Sequence, residues 1–144
     1  MDRILVGLDA SPRSQGVLSA AQELARRTGG KLILFRAVGM PTGVPPEAFS
    51  MSPDDLGTTL EKHAKDYLDG LAKTLPAGSV LEVVTAIGNP WQTICAVADQ
   101  HDADLIVVGS HGYSGLDRVI GTTAAKIVNH ATRSVLVVRH PERI

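Results

Sequence analysis

A chain of 144 residues, 44% hydrophobic and 20% charged, is long enough to bury one sizeable core without staples, and it reads as one domain over 1–144. A formal charge of −1 with no basic block speaks against a phosphate-backbone or membrane-surface partner, so no nucleic acid and no membrane are expected. Aromatics at 3% leave no base-stacking platform, and the single cysteine, Cys95, rules out an intramolecular disulfide or a thiolate zinc cluster.

The N-terminus "MDRILVGLDAS" enters directly on a strand-like run, without the basic and apolar regions of a signal peptide. No apolar run approaches the ~20 residues that span a bilayer. A cytoplasmic protein is the expectation.

"RILVGLD" is a short, continuous apolar run, the pattern of a strand buried on both faces. Ser11 then Pro12 predicts an N-cap and first helical residue, and Val17, Ala20, Ala21, Leu24 and Ala25 recur at helical spacing until Gly29-Gly30. "KLILFRAV" is a second buried strand. Residues 39–50, with three prolines and two glycines, predict an irregular surface loop. Ser52-Pro53-Asp54-Asp55 opens a helix whose apolar face runs through Leu56, Leu60, Ala64, Tyr67, Leu68, Leu71 and Leu75 to a stop at Pro76 and Gly78. "SVLEVVTAI" is a third strand. Asn89-Pro90 starts a helix carrying Trp91, Ile94, Cys95 and Ala98 on one side. "DADLIVVG" is a fourth strand, Thr122 or Thr123 opens the last helix, and "SVLVVR" is a fifth strand.

This β-α-β-α-β-α-β-α-β order predicts an α/β fold, a doubly wound three-layer sandwich with a five-stranded parallel sheet. Ligands on such sheets bind at the carboxyl ends of strands, near a topological switch point. Residues 109–123, "GSHGYSGLDRVIGTT", lie at that edge and exceed the usual 2–6 residue connection. Glycines permit close backbone approach, the helix start near Thr122-Thr123 favours an anion, and His111, Arg118 and Lys126 could add positive charge. A glycine-rich turn with a capping threonine is the plainer reading. Asp9, at the end of the first strand, either binds a ribose hydroxyl, a metal-bound water or a base, or simply faces the dipole of the next helix.

"RILVGLDAS", "GNPWQTICAVADQHDADLIVVGSHG" and "GTTAAKIVNHATRSVLVVR" together resemble the small, single-domain universal stress proteins almost end to end. The resemblance implies a Rossmann-like parallel sheet, a homodimer, and ATP bound through glycine, two residues, glycine, nine residues, glycine, then Ser or Thr. Here Gly109 and Gly112 fit, but eight residues separate Gly112 from Gly121. Either the loop is one residue tighter and Gly121, Thr122 and Thr123 still cradle phosphates, or Thr122 stands where the last glycine belongs and crowds them. By the same resemblance Asp9 would sit near ribose or adenine, Ala37 would line the adenine pocket, and Gly7 and Leu8 would form weaker wall positions. Val108, Gly109, His111 and Gly112 would meet adenosine and the first phosphates. A divalent cation, Mg2+, would accompany ATP.

His63, His101, His130 and His140 show no metal-ligand spacing, and Cys95 reads as a buried, inert thiol. No P-loop, nucleophile elbow or two-metal acidic cluster is present, so at most slow ATP hydrolysis is expected. The leading reading is a cytoplasmic ATP-binding stress-response or regulatory protein, acting through a nucleotide-bound dimer and an unidentified protein partner. A dimer would pair through the edge strand at 134–139. The alternative is a dimeric interaction module that binds no nucleotide and whose 109–123 loop is structural.

Overall fold

The computed structural model describes residues 1–9, 11–39, 53–110 and 121–139. The elements alternate as expected: β1 (Arg3–Gly7), α1 (Ser14–Thr28), β2 (Lys31–Val38), α2 (Pro53–Lys73), β3 (Val80–Ile87), α3 (Pro90–Gln100), β4 (Leu105–Gly109), α4 (Thr122–His130) and β5 (Ser134–Val138). All five strands are parallel, in the order β3-β2-β1-β4-β5.

Side chains alternate across a strand, and the chain uses that period to build two cores. Ile4 and Val6 of β1 face one way, with Leu32 and Leu34, against Val17, Leu18 and Ala21 of α1 and Leu68 of α2. Leu5 faces the other way, with Ile33 and Ile106, against Ile94 and Val97 of α3 and Ile127 of α4. Helices α1 and α2 therefore cover one face and α3 and α4 the other, the double winding inferred from the sequence. β1, inside the sheet, has Ile4, Leu5 and Val6 fully buried, which is why it reads as a continuous apolar run.

The sheet edges are β3 and β5. In β5, Ser134 and Leu136 are exposed, so the expected edge at the C-terminal strand is present. The strand order reverses between β1 and β4: the chain leaves β1 toward β2 on one side and later returns to β4 on the other. The carboxyl ends of β1 and β4 therefore flank the switch point.

Helix boundaries follow local chemistry with one correction. Asn89 Oδ1 accepts from Trp91 N at 3.1 Å and Pro90 takes the first turn of α3, as predicted. Gly29 closes α1 at φ 77°, a left-handed value that glycine adopts without cost. However, α1 starts at Ser14, with Arg13 and not Ser11 as its N-cap. Asp9 Oδ1 accepts from Ser11 N, at 2.9 Å, and the Ser11 carbonyl accepts from Ser14 N at 3.1 Å. The turn thus gives the Ser14 N–H, which a Ser11 side-chain cap would have taken, to the Ser11 carbonyl instead. The second helix stops at Lys73, and Leu75 reaches the core from the turn beyond it.

Candidate functional site

A cleft of about 140 Å3 opens at the carboxyl ends of β1, β2 and β4, between the starts of α1 and α4. Its rim carries Asp9, Ser11, Arg13 and Ser14 from the β1–α1 connection, Ala37 from β2, Gly109 from β4 and Thr123 from α4. Its floor is apolar, with Leu8, Phe35, Ile94, Val108 and Ile127.

Gly7 lies on that floor for a packing reason. A Cβ placed on it would sit 2.7 Å from Ile94 Cδ1 and 3.0 Å from Val108 Cγ1, closer than carbon atoms tolerate. Two side chains of the adjoining core therefore occupy the space over Gly7, and they shape the cleft from beneath. Leu8 is buried, with its N–H donating to the Phe35 carbonyl at 2.8 Å.

Asp9 is exposed and organises the turn. Its Oδ1 accepts from Ser11 N and from Ser14 Oγ, both at 2.9 Å, and Ser14 Oγ also reaches the Asp9 carbonyl. Oδ2 makes no hydrogen bond among the described residues. Ser11 and Ser14 are both buried, but only Ser14 has its hydroxyl satisfied. Ser11 Oγ is shielded from solvent and has no hydrogen-bond partner among the described residues. An isolated buried hydroxyl is a rare feature that asks for an explanation.

On the opposite side, the base of the 111–120 segment is closed by backbone bonds. Ser110 N donates to the Val138 carbonyl at 3.0 Å, and the Ser110 carbonyl accepts from Gly121 N at 2.6 Å. Gly121 is the N-cap of α4, and having no side chain it supplies no side-chain cap to the first-turn N–H groups. Its φ of −60° and ψ of 158° are extended values open to any residue, so backbone conformation does not demand glycine there. Thr123 lines the cleft, whereas Gly121 and Thr122 stand beside it. His111, Gly112 and Arg118 lie outside the described residues, as do most of the 39–50 loop, Ser52 and His140. Lys126, expected near the loop, sits with its Nζ 5.8 Å over the Trp91 ring.

Comparison with known proteins resolves the class of the molecule: the model of the universal stress protein family matches residues 1–139. The chain belongs to the universal stress protein family. It is 33% identical over 136 residues to universal stress protein A homolog 1 of Coxiella burnetii, covering 94% of each chain. The solved universal stress protein UspA of Lactobacillus plantarum matches with a TM-score of 0.76 at 29% identity, over 96% of this chain and 97% of that one. The universal stress protein of Archaeoglobus fulgidus, solved in complex with dAMP, has the same fold, with a TM-score of 0.63 at 22% identity over 96% and 98% of the two chains.

In this universal stress protein the structure brings Gly7, Leu8, Asp9, Ala37, Val108, Gly109 and Thr123 around one cleft. Sequence reasoning missed Ser11, Arg13 and Ser14 as lining residues. Ser11 had been assigned to a helix cap, and nothing in the local pattern distinguishes Arg13 from a solvent-facing helix-start residue. Away from the cleft, burial and then the neighbouring Asp99 push the Cys95 thiol up, away from the reactive thiolate. His101 Nδ1 pairs with Glu82 at 2.6 Å, and His130 stacks on Trp91 with ring centroids 4.5 Å apart. Among the described residues no group of three or more His, Cys, Asp or Glu side chains is placed to hold a metal ion. No helix among them is long and apolar enough to cross a membrane.

Proposed function

We propose that this universal stress protein binds ATP in the cleft between α1 and α4 and acts through its nucleotide-bound state, with at most slow hydrolysis. One observation carries the reading: the connection into α1 and the first turn of α4 line the same cleft, where the strand order reverses. Two helix N-termini directed at one space favour a ligand with negative charge. The dAMP in the Archaeoglobus relative supports an adenine nucleotide as its class.

In this reading the adenine lies against Ala37 and Val108, and the ribose is held by Asp9. Gly7 and Leu8 form the wall beside it. Gly109, His111 and Gly112 contact adenosine and the first phosphates, and Gly121, Thr122 and Thr123 take the distal ones. Mg2+ arrives with the phosphates, in keeping with its habit of binding through few protein ligands and several phosphate oxygens and waters. A homodimer forms through the exposed edge of β5, where a second copy would pair with the strand and cover Leu136, which is 39% exposed. A cytoplasmic setting is consistent with the single, unpaired Cys95.

The Ser110–Gly121 bond favours a second reading, because it would also close a purely structural turn. The two readings separate on the nucleotide content of freshly purified protein, followed by titration calorimetry with ATP and Mg2+. Near-stoichiometric or tightly bound ATP establishes the nucleotide site. A dimer that carries and binds no nucleotide establishes the interaction module.

A further inference from the structure

We propose that the outer edge of β3 is a self-association surface, on which β3 of a second copy pairs antiparallel about a two-fold axis at Val84. The proposal is independent of the nucleotide reading and of pairing at β5.

The edge is long and apolar. β3 spans eight residues, Val80–Ile87, and beyond β2 it has no neighbouring strand among the described residues. Such edges are ordinarily blunted by lysine, proline or a short strand, and β3 contains neither lysine nor proline. Its one charged residue, Glu82, is held within the protomer by His101 Nδ1 at 2.6 Å. Leu81 and Ile87, near its two ends, are 47% and 44% exposed. A free edge fits many strands, but the pattern of this one fits itself.

Gly88 N donates to the Val38 carbonyl at 3.0 Å, and bonding direction alternates along a strand. Val84 and Ala86 therefore turn their backbone groups to β2, whereas Val83, Thr85 and Ile87 turn theirs outward. In an antiparallel pair centred on Val84, Val83 and Thr85 of each copy exchange bonds with Thr85 and Val83 of the other. The two Val84 residues form the non-hydrogen-bonded pair between them. This register sets Leu81 opposite Ile87 at both ends and Glu82 opposite Ala86. The exposed apolar side chains then cover each other and no like charges meet, as a self-complementary two-fold interface requires. Centring the pair on Val83 or Thr85 instead would set Leu81 against Thr85 or Asn89.

A bulge adds a fit of shape. Leu32 pairs with Val80 and Ile33 with Glu82, which leaves Leu81 as the extra residue of β3. Leu81 lines a groove of about 760 Å3 between β3 and the end of α2, together with Ala72, Leu75, Pro76 and Val83. Ile87 shares the face of Val83, so the Val84-centred pair brings it to the mouth of the other copy's groove, over Leu81.

Two measurements test the proposal. In a Cys95→Ala background, mild oxidation should cross-link Val84→Cys into a covalent dimer. Residues of a non-hydrogen-bonded antiparallel pair stand about 4.5 Å apart at Cα, within disulfide range. Ala86→Cys, on the same face, would lie four residues along the strand from its symmetry mate, roughly 13 Å away, and should not cross-link. The second measurement is sedimentation equilibrium. Ile87→Lys and Leu81→Glu change exposed side chains and should leave the melting temperature nearly unchanged. Each should weaken self-association about tenfold or more and lower the average mass. Mixing the two variants should restore the mass, because each introduced lysine then faces an introduced glutamate while Leu81 faces Ile87 at the other end. No cross-link at Val84→Cys, or equal cross-linking of Val84→Cys and Ala86→Cys, overturns the proposal. So does a mass that is unchanged in the single variants or that fails to recover on mixing.

Discussion

Gly7→Ala tests whether the floor of the cleft is set by core packing or by the ligand. The new methyl group would lie 2.7 Å from Ile94 Cδ1 and 3.0 Å from Val108 Cγ1. Ile94 is 2% exposed, so its Cδ1 can give way only toward the adjoining cleft that it helps to line. Overpacking of this kind costs about 1–3 kcal/mol, lowering the melting temperature of a domain this size by roughly 3–10 °C. Ile94→Val deletes the offending Cδ1 and alone costs about 0.5–1.5 kcal/mol. In the Gly7→Ala background that deletion should relieve the closest contact, making the double variant no less stable than Gly7→Ala alone. The expected coupling is favourable and on the order of 1 kcal/mol, measured by a double-mutant cycle in urea. Additive losses would refute the packing account. The double variant should also bind ATP as the unmutated protein does, because the methyl then fills space vacated by Ile94 without entering the cleft. A stable double variant that has lost ATP would mean that Gly7 is required by the ligand instead.

Gly121→Val should weaken ATP binding by about tenfold or more, comparable to one charge-assisted hydrogen bond. It should leave the far-ultraviolet spectrum and melting temperature nearly unchanged, since φ −60° and ψ 158° suit valine; unaltered affinity would remove the phosphate cradle. Asn89→Ala removes the acceptor of Trp91 N and should cost about 1 kcal/mol in urea denaturation at constant m value. Asp104 Oδ2 accepts from Arg3 N at 2.9 Å and Asp2 N at 2.8 Å, and these bonds hold its carboxyl below the ordinary 3.8. A folded value below the unfolded one contributes stability above the unfolded value, lost as pH falls through the folded one. Asp104→Asn should therefore flatten the acid limb of stability below about pH 4, and acid melting curves that stay parallel to the unmutated protein would contradict this.

What the sequence made legible was whatever local chemistry or periodicity controls. The continuous apolar runs of β1 and β4 announce strands buried on both faces, and Asn89-Pro90 announces a capped helix with the geometry found. The start of α1 was misread because Ser11-Pro12 is a strong cap pattern, and a competitor two residues upstream decides the outcome. The Asp9 carboxylate takes Ser11 N, and the turn displaces the helix start to Ser14. Gly7 illustrates a different limit. The atoms that require glycine there belong to Ile94 and Val108, brought in by α3 and β4, and no pattern around residue 7 points to them. Ser11 combines both limits, since its hydroxyl is orphaned only once the turn and the surrounding core are in place.

The loop that departs from the family spacing can now be separated into a base and an interior. Its base is fixed by Ser110 and Gly121 through bonds to each other and to β5, and neither bond depends on what lies between. The entropy of closing a loop rises only logarithmically with length, so one residue more or fewer in the 111–120 segment changes stability by about 0.1 kcal/mol. The fold is thus indifferent to having eight rather than nine residues between Gly112 and Gly121. Any consequence falls on the ligand contacts proposed for residues of that segment. The cleft itself presents Asp9, Ser11 and Thr123 from elements anchored outside that loop. The sugar contact proposed for Asp9 at the α1 end is therefore independent of the shortened segment, and only the contacts proposed for His111 and Gly112 are exposed to the missing residue.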